Sequence, residues 1–263
     1  GDSAAAFSTW ESGIRNDPEN IGLRVAMIGA LRKKGKIDEA IVASKEALKV
    51  NAKSIAVYNN FGLAYLDKGN IVLAKFIFQK AIQEIDGAEQ NALLQSNLGW
   101  TFYRDDNLPA ATEHLKKALE LDPNLVPALV YLARVYMDDH NYGDTVPLLE
   151  NAARLDPNNA DIQLTLGVAY RGSGRLDDAK RAYERALALE PSDPSPHLNL
   201  GVLLGDYRKD YDGAVNEFNQ YIAAGGKEKV LAETYIKAVK KEKEDSQKRV
   251  AAEAERKAKE EER

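Results

Sequence analysis

The chain has 263 residues, of which 44% are apolar, with 18 glycines and 9 prolines, which is neither a disordered nor a collagen-like composition. Its formal charge of -5 argues against nucleic acid or an anionic membrane surface as the main partner. The lack of cysteine excludes disulfides, thiolate-bound zinc, iron–sulfur clusters and thiol nucleophiles, and no apolar run is long enough to span a bilayer.

In chain order, "AAFSTWESGIRNDP" predicts an N-terminal helix carrying Trp10 and closed by Pro18. The chain begins at Gly1 without a Met, so "GDSAAAF" reads as a tag scar or the start of a processed chain, with any targeting signal already removed. Pairs of amphipathic helices follow, starting near Ile21, Ile55, Ala92, Val126, Ala160 and Pro194, with turns such as "DKGN", "RDDN" and "GSGR" inside each pair. Pro123, Pro157 and Pro191 fall just past second helices and stop them. Pro109 and Pro147 are expected near the start of second helices, where a missing N–H costs little. The second pair carries extra residues around "IDGAEQN", and the last carries an extra residue in "DYRKDYDG", expected between its two helices. "KVLAETYIKAVKK" predicts a helix with Leu231, Tyr235, Ile236 and Val239 on one stripe. From residue 242 the chain is charged in both signs, as a helix held by i,i+4 pairs or a disordered segment would be.

Small residues followed by an aromatic recur as Gly62 and Tyr65, Gly99 and Phe102, Ala133 and Tyr136, Gly167 and Tyr170. From Gly99 to Ala133, Gly167 and Gly201 the step is 34 each time. A second ladder pairs Ala40, Ala74, Ala111 and Ala179 with Ala47, Ala81, Ala118 and Ala186, and the prolines keep the same phase. On these residues the chain resembles the tetratricopeptide-repeat (TPR) family. The best match is Leu166, Gly167, Tyr170, Ala179, Tyr183, Ala186 and Pro191; the first repeat departs from the pattern, with Ile28 where Gly or Ala is usual.

The resemblance implies an all-α, right-handed superhelical TPR solenoid of about six helix-turn-helix repeats with N- and C-terminal capping helices. Residues 1–20 would be the N-terminal cap, 21–226 the repeats, 227–241 the C-terminal cap and 242–263 the charged tail. One repeat cannot bury its apolar face alone, which is why the ends need caps.

No residues assemble into a reaction centre. His197 takes an aromatic slot of its repeat, His140 lies in a turn and His114 sits mid-face on a second helix, without a shared register. "RDDN" and "MDDHNYGD" lack the ligand set of a calcium loop. No phosphate-binding glycine loop, nucleophile elbow or kinase signature occurs. The expectation is a non-enzymatic chain with no metal and no cofactor.

In TPR proteins the first helix of each repeat lines a concave groove. The resemblance places Ala26, Asn60, Asn97, Tyr131, Thr165 and Asn199 at the sixth position of successive repeats. Leu63, Trp100 and Arg134 fall at the ninth, Leu66, Tyr103 and Met137 at the twelfth, and Arg104 follows Tyr103. Asn60, Asn97 and Asn199 resemble a ladder of amides that hold a peptide backbone through a donor and an acceptor each, interrupted at Tyr131 and Thr165. Leu63, Leu66, Trp100, Tyr103, Val130, Tyr131 and Met137 would form a contiguous apolar patch, the usual mark of a partner site. Trp100 would meet either the partner or its own chain; if it meets the partner, Trp100→Ala should weaken binding and leave melting unchanged. Gly22, Ala26 and Gly29 form a stripe that would let another helix approach. The carboxylate clamp of chaperone adaptors is not met, because Val25 and Gly29, or Asn59 and Leu63, stand at two of its positions.

The expected function is a protein-interaction scaffold that binds a peptide or partner helix in the groove. In style the repeats are similar to bacterial envelope TPR lipoproteins that assemble pili or gliding-motility complexes, which implies a periplasmic or outer-membrane-associated location, with the cytoplasm as alternative. A homo-oligomeric assembly protein and an accessory module of a larger enzyme are the other readings. Protein or peptide partners are expected, not nucleic acid or membrane insertion.

Overall fold

The computed structural model describes residues 2–261, and the side chains within 8–10 and 12–260; Gly1, Glu262 and Arg263 of the expected end segments lie outside the described residues. Among the described residues every regular element is helical. One compact unit, Gly1–Asp139, holds α1 (Asp2–Asn16), α2 (Ile21–Lys33), α3 (Ile37–Val50), α4 (Ile55–Asp67), α5 (Ile71–Glu84), α6 (Ala92–Arg104), α7 (Leu108–Leu121) and α8 (Val126–Asp138). A second, His140–Arg263, holds α9 (Tyr142–Leu155), α10 (Ala160–Gly172), α11 (Leu176–Leu189), α12 (Ser195–Val202), α13 (Tyr211–Ala223) and α14 (Lys229–Glu261). This division falls inside the fourth repeat, where the periodicity shows no break.

The turn residues explain the helix ends. Asn20, Asn70, Asn91, Asn107 and Asn159 each accept a hydrogen bond from a backbone N–H three residues on, satisfying one of the donors that a helix start leaves free. Within the repeats the chain turns through a left-handed residue: Gly35, Gly69, Asp106, His140, Gly174 and Lys209. These recur with the repeat step, lengthened between Gly69 and Asp106 and again between Gly174 and Lys209, where the sequence carries its extra residues. The first insertion forms a short 3₁₀ turn, Ala88–Gln90. The second does not sit between two helices, as expected. It is absorbed at the end of α12 as a π-helical turn, Leu203–Arg208, which takes one more residue per turn than an α-helix.

Packing within the second, third, fifth and sixth repeats sets a glycine on the first helix beneath a large residue on the second. A Cβ on Gly62 would stand 2.4 Å from the Phe78 ring, and one on Gly167 would stand 2.4 Å from the Tyr183 ring. The first repeat reverses this pair. Ile28 fills the glycine slot and is fully buried, while its register counterpart on α3 is Ser44, also fully buried, with its hydroxyl donating to the Ala40 carbonyl at 2.8 Å. Volume is roughly conserved by the exchange, which is the change a core tolerates best. The departure at Ile28 is therefore a compensated swap and not a defect.

Two further expectations are corrected. Pro147 is not at the start of α9 but six residues in, so the Gly143 carbonyl loses its helical donor. The C-terminal cap buries Ala232 and Val239 and stacks Tyr235 on Phe218, with centroids 5.3 Å apart, but Leu231 stays 42% exposed. No break occurs near residue 241, because α14 runs on to Glu261. Its charged half is tied by Lys243 to Asp212 at 2.6 Å and by pairs along the helix such as Lys257–Glu253 at 3.0 Å.

His114 gives this fold a pH dependence. Its Nδ1 lies 2.8 Å from Gln95 Oε1, and its ring stacks on Phe102 at 5.3 Å. Burial pushes its pKa below the ordinary histidine value. On acidification the unfolded chain takes up the proton first. Stability is thus complete above about pH 6.5 and falls as pH drops toward the lowered folded value. His114→Phe should remove that part of the loss, so the urea midpoint should fall less between pH 7.5 and pH 5 than in wild type. Equal falls in the two proteins would rule His114 out as the cause.

Candidate functional site

The candidate site lies on the first helices of the Gly1–Asp139 unit. Helical spacing puts Trp100 and Tyr103 one turn apart on α6, and α8 brings Tyr131 to them. Trp100 stacks on Tyr131 at 4.4 Å and 16° and on Tyr103 at 4.9 Å and 18°. Three half-buried rings thus form one near-parallel stack, at the short end of the spacing favourable for aromatic pairs. Burial raises the pKa of both tyrosines. The hydroxyl of Tyr103 adds to its shift through a hydrogen bond to Asp138, while the guanidinium groups of Arg134 and Arg32 act against the shift of Tyr131.

Charged groups border the stack. The Arg134 guanidinium carbon stands 5.9 Å from the centroid of Trp100, and its Nε is buried without a hydrogen-bond acceptor. Arg32 Nε donates to Asp67 Oδ2 at 2.8 Å, and its Nη1 reaches Asn60 Oδ1 at 3.5 Å. Gly29, Arg32, Asn60 and Asp67 line an open cleft on α2 and α4. Arg32 and Asp67 both act electrostatically on Tyr131, in opposite directions.

The eleven residues expected to line the groove separate into groups. Asn60, Leu63, Trp100, Tyr103, Tyr131, Arg134 and Met137 are half-buried, and Arg104 is exposed in the last turn of α6. Leu66 is not on the groove surface: it is only 7% exposed and belongs to the core. Asn97 is likewise corrected. It is 3% exposed, its Nδ2 donates to Asn59 Oδ1 at 2.7 Å, and its carbonyl accepts from the Thr101 hydroxyl. The expected amide ladder therefore has no open rung at Asn97. Asn60 and Asn199 remain half-buried, each donating to the carbonyl four residues earlier, Ala56 and Ser195. Asn199 belongs to the other unit. Of the small-residue stripe, Gly22 and Ala26 are exposed, and Gly29 faces Asn60.

Sequence reasoning missed Asp67, Asp138 and Asn59. The one available signal was that Arg32 and Asp67 lie about one repeat apart, so that a cation and an acid share neighbouring positions on successive first helices. The arrangement offers stacking surface, an apolar wall and guanidinium donors, which are binding chemistry. Among the described residues no three histidine, aspartate or glutamate side chains gather as a metal site would require.

Helix pairs in this register, closed by Gly or Asp turns and packed through a small-residue ladder, define a helical repeat protein. Tetratricopeptide-repeat profiles match residues 136–201 and 55–84, and a TPR-repeat profile matches residues 30–69. The chain thus carries tetratricopeptide repeats over these residues, and its fold is an all-α TPR solenoid.

Among solved structures, a chain of the APC/C hetero-tetramer Cut9–Hcn1 is similar, with TM-score 0.78 and 18% identity. That match covers 90% of this chain but 46% of the other, so this chain spans less than half of that protein's length. A tetratricopeptide repeat protein from Parabacteroides merdae has TM-score 0.62 and 18% identity, over 91% of this chain and 93% of that one. The pilF protein of Pseudomonas aeruginosa has TM-score 0.66 and 16% identity, over 89% and 99%. At these identities the likeness is one of fold. Comparison with curated protein sequences gives no match.

Proposed function

We propose that the chain is a protein-interaction scaffold that binds an extended peptide or partner helix on the first-helix face of its Gly1–Asp139 unit. The observation that carries this is the half-buried stack of Trp100, Tyr103 and Tyr131, with half-buried Leu63 and Met137 in equivalent register positions of the neighbouring first helices. The repeat itself requires none of these side chains, and aromatic residues at partly buried positions are the usual anchors of binding surfaces. The half-buried residues supply binding chemistry and no acid–base or nucleophilic constellation, which supports an interaction role over a reaction. For the process served, we propose assembly of a bacterial envelope complex, on the style of the "LDPN" repeats and the charged tail. Recovery in the cytosolic fraction after cell fractionation would overturn that part.

The groove is tested with peptides selected by the wild-type chain from a random library displayed on phage. Leu63→Asn removes apolar contact without changing charge, and should weaken their binding about tenfold, the value of much of one buried leucine. Its melting should match wild type. Selected peptides that bind Leu63→Asn as tightly as wild type, or a selection that recovers none, would sink the groove reading.

A further inference from the structure

We propose that Arg134 is the anchor for a carboxylate side chain of the bound peptide, so that this groove prefers acidic segments; the inference rests on the groove reading above. Arginines of this unit find their counterparts in three ways. Arg104 and Arg15 are exposed to water. Arg24 donates to the Pro18 carbonyl at 2.7 Å, and Arg32 pairs with Asp67. Arg134 follows none of these: it is half-buried, its Nε is sealed from solvent with no acceptor, and its guanidinium lies over the face of Trp100.

An N–H sealed from water with no acceptor leaves the guanidinium incompletely satisfied, because protein sites normally hydrogen-bond such groups. The π face of an aromatic ring offsets only part of that cost. Of the acids nearest the stack, Asp67 is paired with Arg32, while Asp138, one turn on from Arg134 along α8, is turned to the Tyr103 hydroxyl. What is missing is a carboxylate. With Nε sealed, an incoming carboxylate would meet the guanidinium end-on through its two Nη groups, a geometry suited to bidentate pairing. Its aliphatic stem would lie along the Trp100 and Tyr131 rings. A basic segment would instead set its own cation against the Arg134 guanidinium and would be repelled.

The experiment uses a synthetic peptide of the sequence selected by the wild-type chain, in two forms that carry either Glu or Gln at the consensus acidic position. Binding is measured by fluorescence anisotropy to wild type, Arg134→Met and Leu63→Asn. The wild-type chain should prefer Glu over Gln by about tenfold or more, as for a charge-assisted hydrogen bond. In Arg134→Met that preference should fall to near one, while the variant melts close to wild type, because the lost contact with Trp100 is offset by removal of a sealed Nε that has no acceptor. A structural role for Arg134 would instead lower melting and weaken both peptides equally. Selected peptides with no consensus acidic position, equal binding of the Glu and Gln forms to wild type, or a preference that survives in Arg134→Met would overturn the assignment. Loss of binding in Leu63→Asn alongside indifference to Glu or Gln would leave the groove in place and remove only the carboxylate. Binding unaffected by Leu63→Asn would remove the groove itself.

Discussion

Replacing Gly99 by valine should destabilise the Gly1–Asp139 unit by about 3 kcal/mol or more, at the upper end of what overpacking a core costs. A Cβ at Gly99 would lie 2.7 Å from Leu115 Cγ and 3.1 Å from the Leu115 backbone nitrogen. The leucine side chain cannot move aside, since Leu115 is fully buried, and the backbone atom belongs to α7. Relief therefore requires α6 and α7 to separate, which opens gaps around Ala111 and Ala118, both fully buried between them. A close-packed interior converts such separation into lost contact along the whole helix pair. Gly69→Ala is the control. There φ is +79 and no atom lies within 4 Å of the new Cβ, so only the left-handed backbone is penalised, by about 1 kcal/mol. Asp106 occupies the equivalent turn slot of the next repeat at φ 58, which shows that a side chain can be carried there. Thermal and urea melts followed by circular dichroism should rank the variants wild type, Gly69→Ala, then Gly99→Val. A reversed order of the two variants would refute the packing account.

The same glycine explains why so much of the fold is legible in the sequence. Close helix contact demands a small residue opposite a large one, so Gly62, Gly99, Ala133, Gly167 and Gly201 mark the repeat wherever it is regular. Turn chemistry is legible for a related reason, because a left-handed residue and an Asn cap are local requirements. Register also shows which residues belong to first helices, and hence Trp100, Tyr131 and Arg134 as neighbours of the groove. It does not show which of them a neighbouring repeat covers. Asn97 is closed by Asn59, 38 residues earlier, and Leu66 sinks into the core although its register equivalents Tyr103 and Met137 stay half-buried. These outcomes depend on the side chain that faces each residue across a helix pair, which a single-repeat pattern does not encode. Compensation is hidden for the same reason: Ile28 looks degenerate until it is read with its buried register counterpart Ser44. The π-helical turn at Leu203–Arg208 is a choice between two ways of storing one residue, and the sequence does not distinguish them.

Trp100→Ala is expected to lower both stability and peptide binding, unlike the outcome anticipated for a ring held free for a partner. Two stacked pairs contribute about 0.5–1.5 kcal/mol each beyond burial, and the contact with Arg134 adds about 0.5–1 kcal/mol. The expected loss is about 2–3 kcal/mol, below that of a fully buried tryptophan because the ring is only half covered. In a unit of this size that corresponds to a fall of about 5–15 °C in the first melting transition. Trp100→Phe keeps a ring between Tyr103 and Tyr131 and should recover more than half of it. Unchanged melting in Trp100→Ala would mean that the stack carries no load and that the ring is available to a ligand. If melting falls as expected, the partner meets a surface already assembled before it arrives. Rings locked against one another have little rotamer freedom left to lose, so the ordering cost of binding is small on this side of the interface. On the proposed reading, such a groove would select by shape and charge at Leu63 and Arg134, and would not rely on a tryptophan that must reorient to bind.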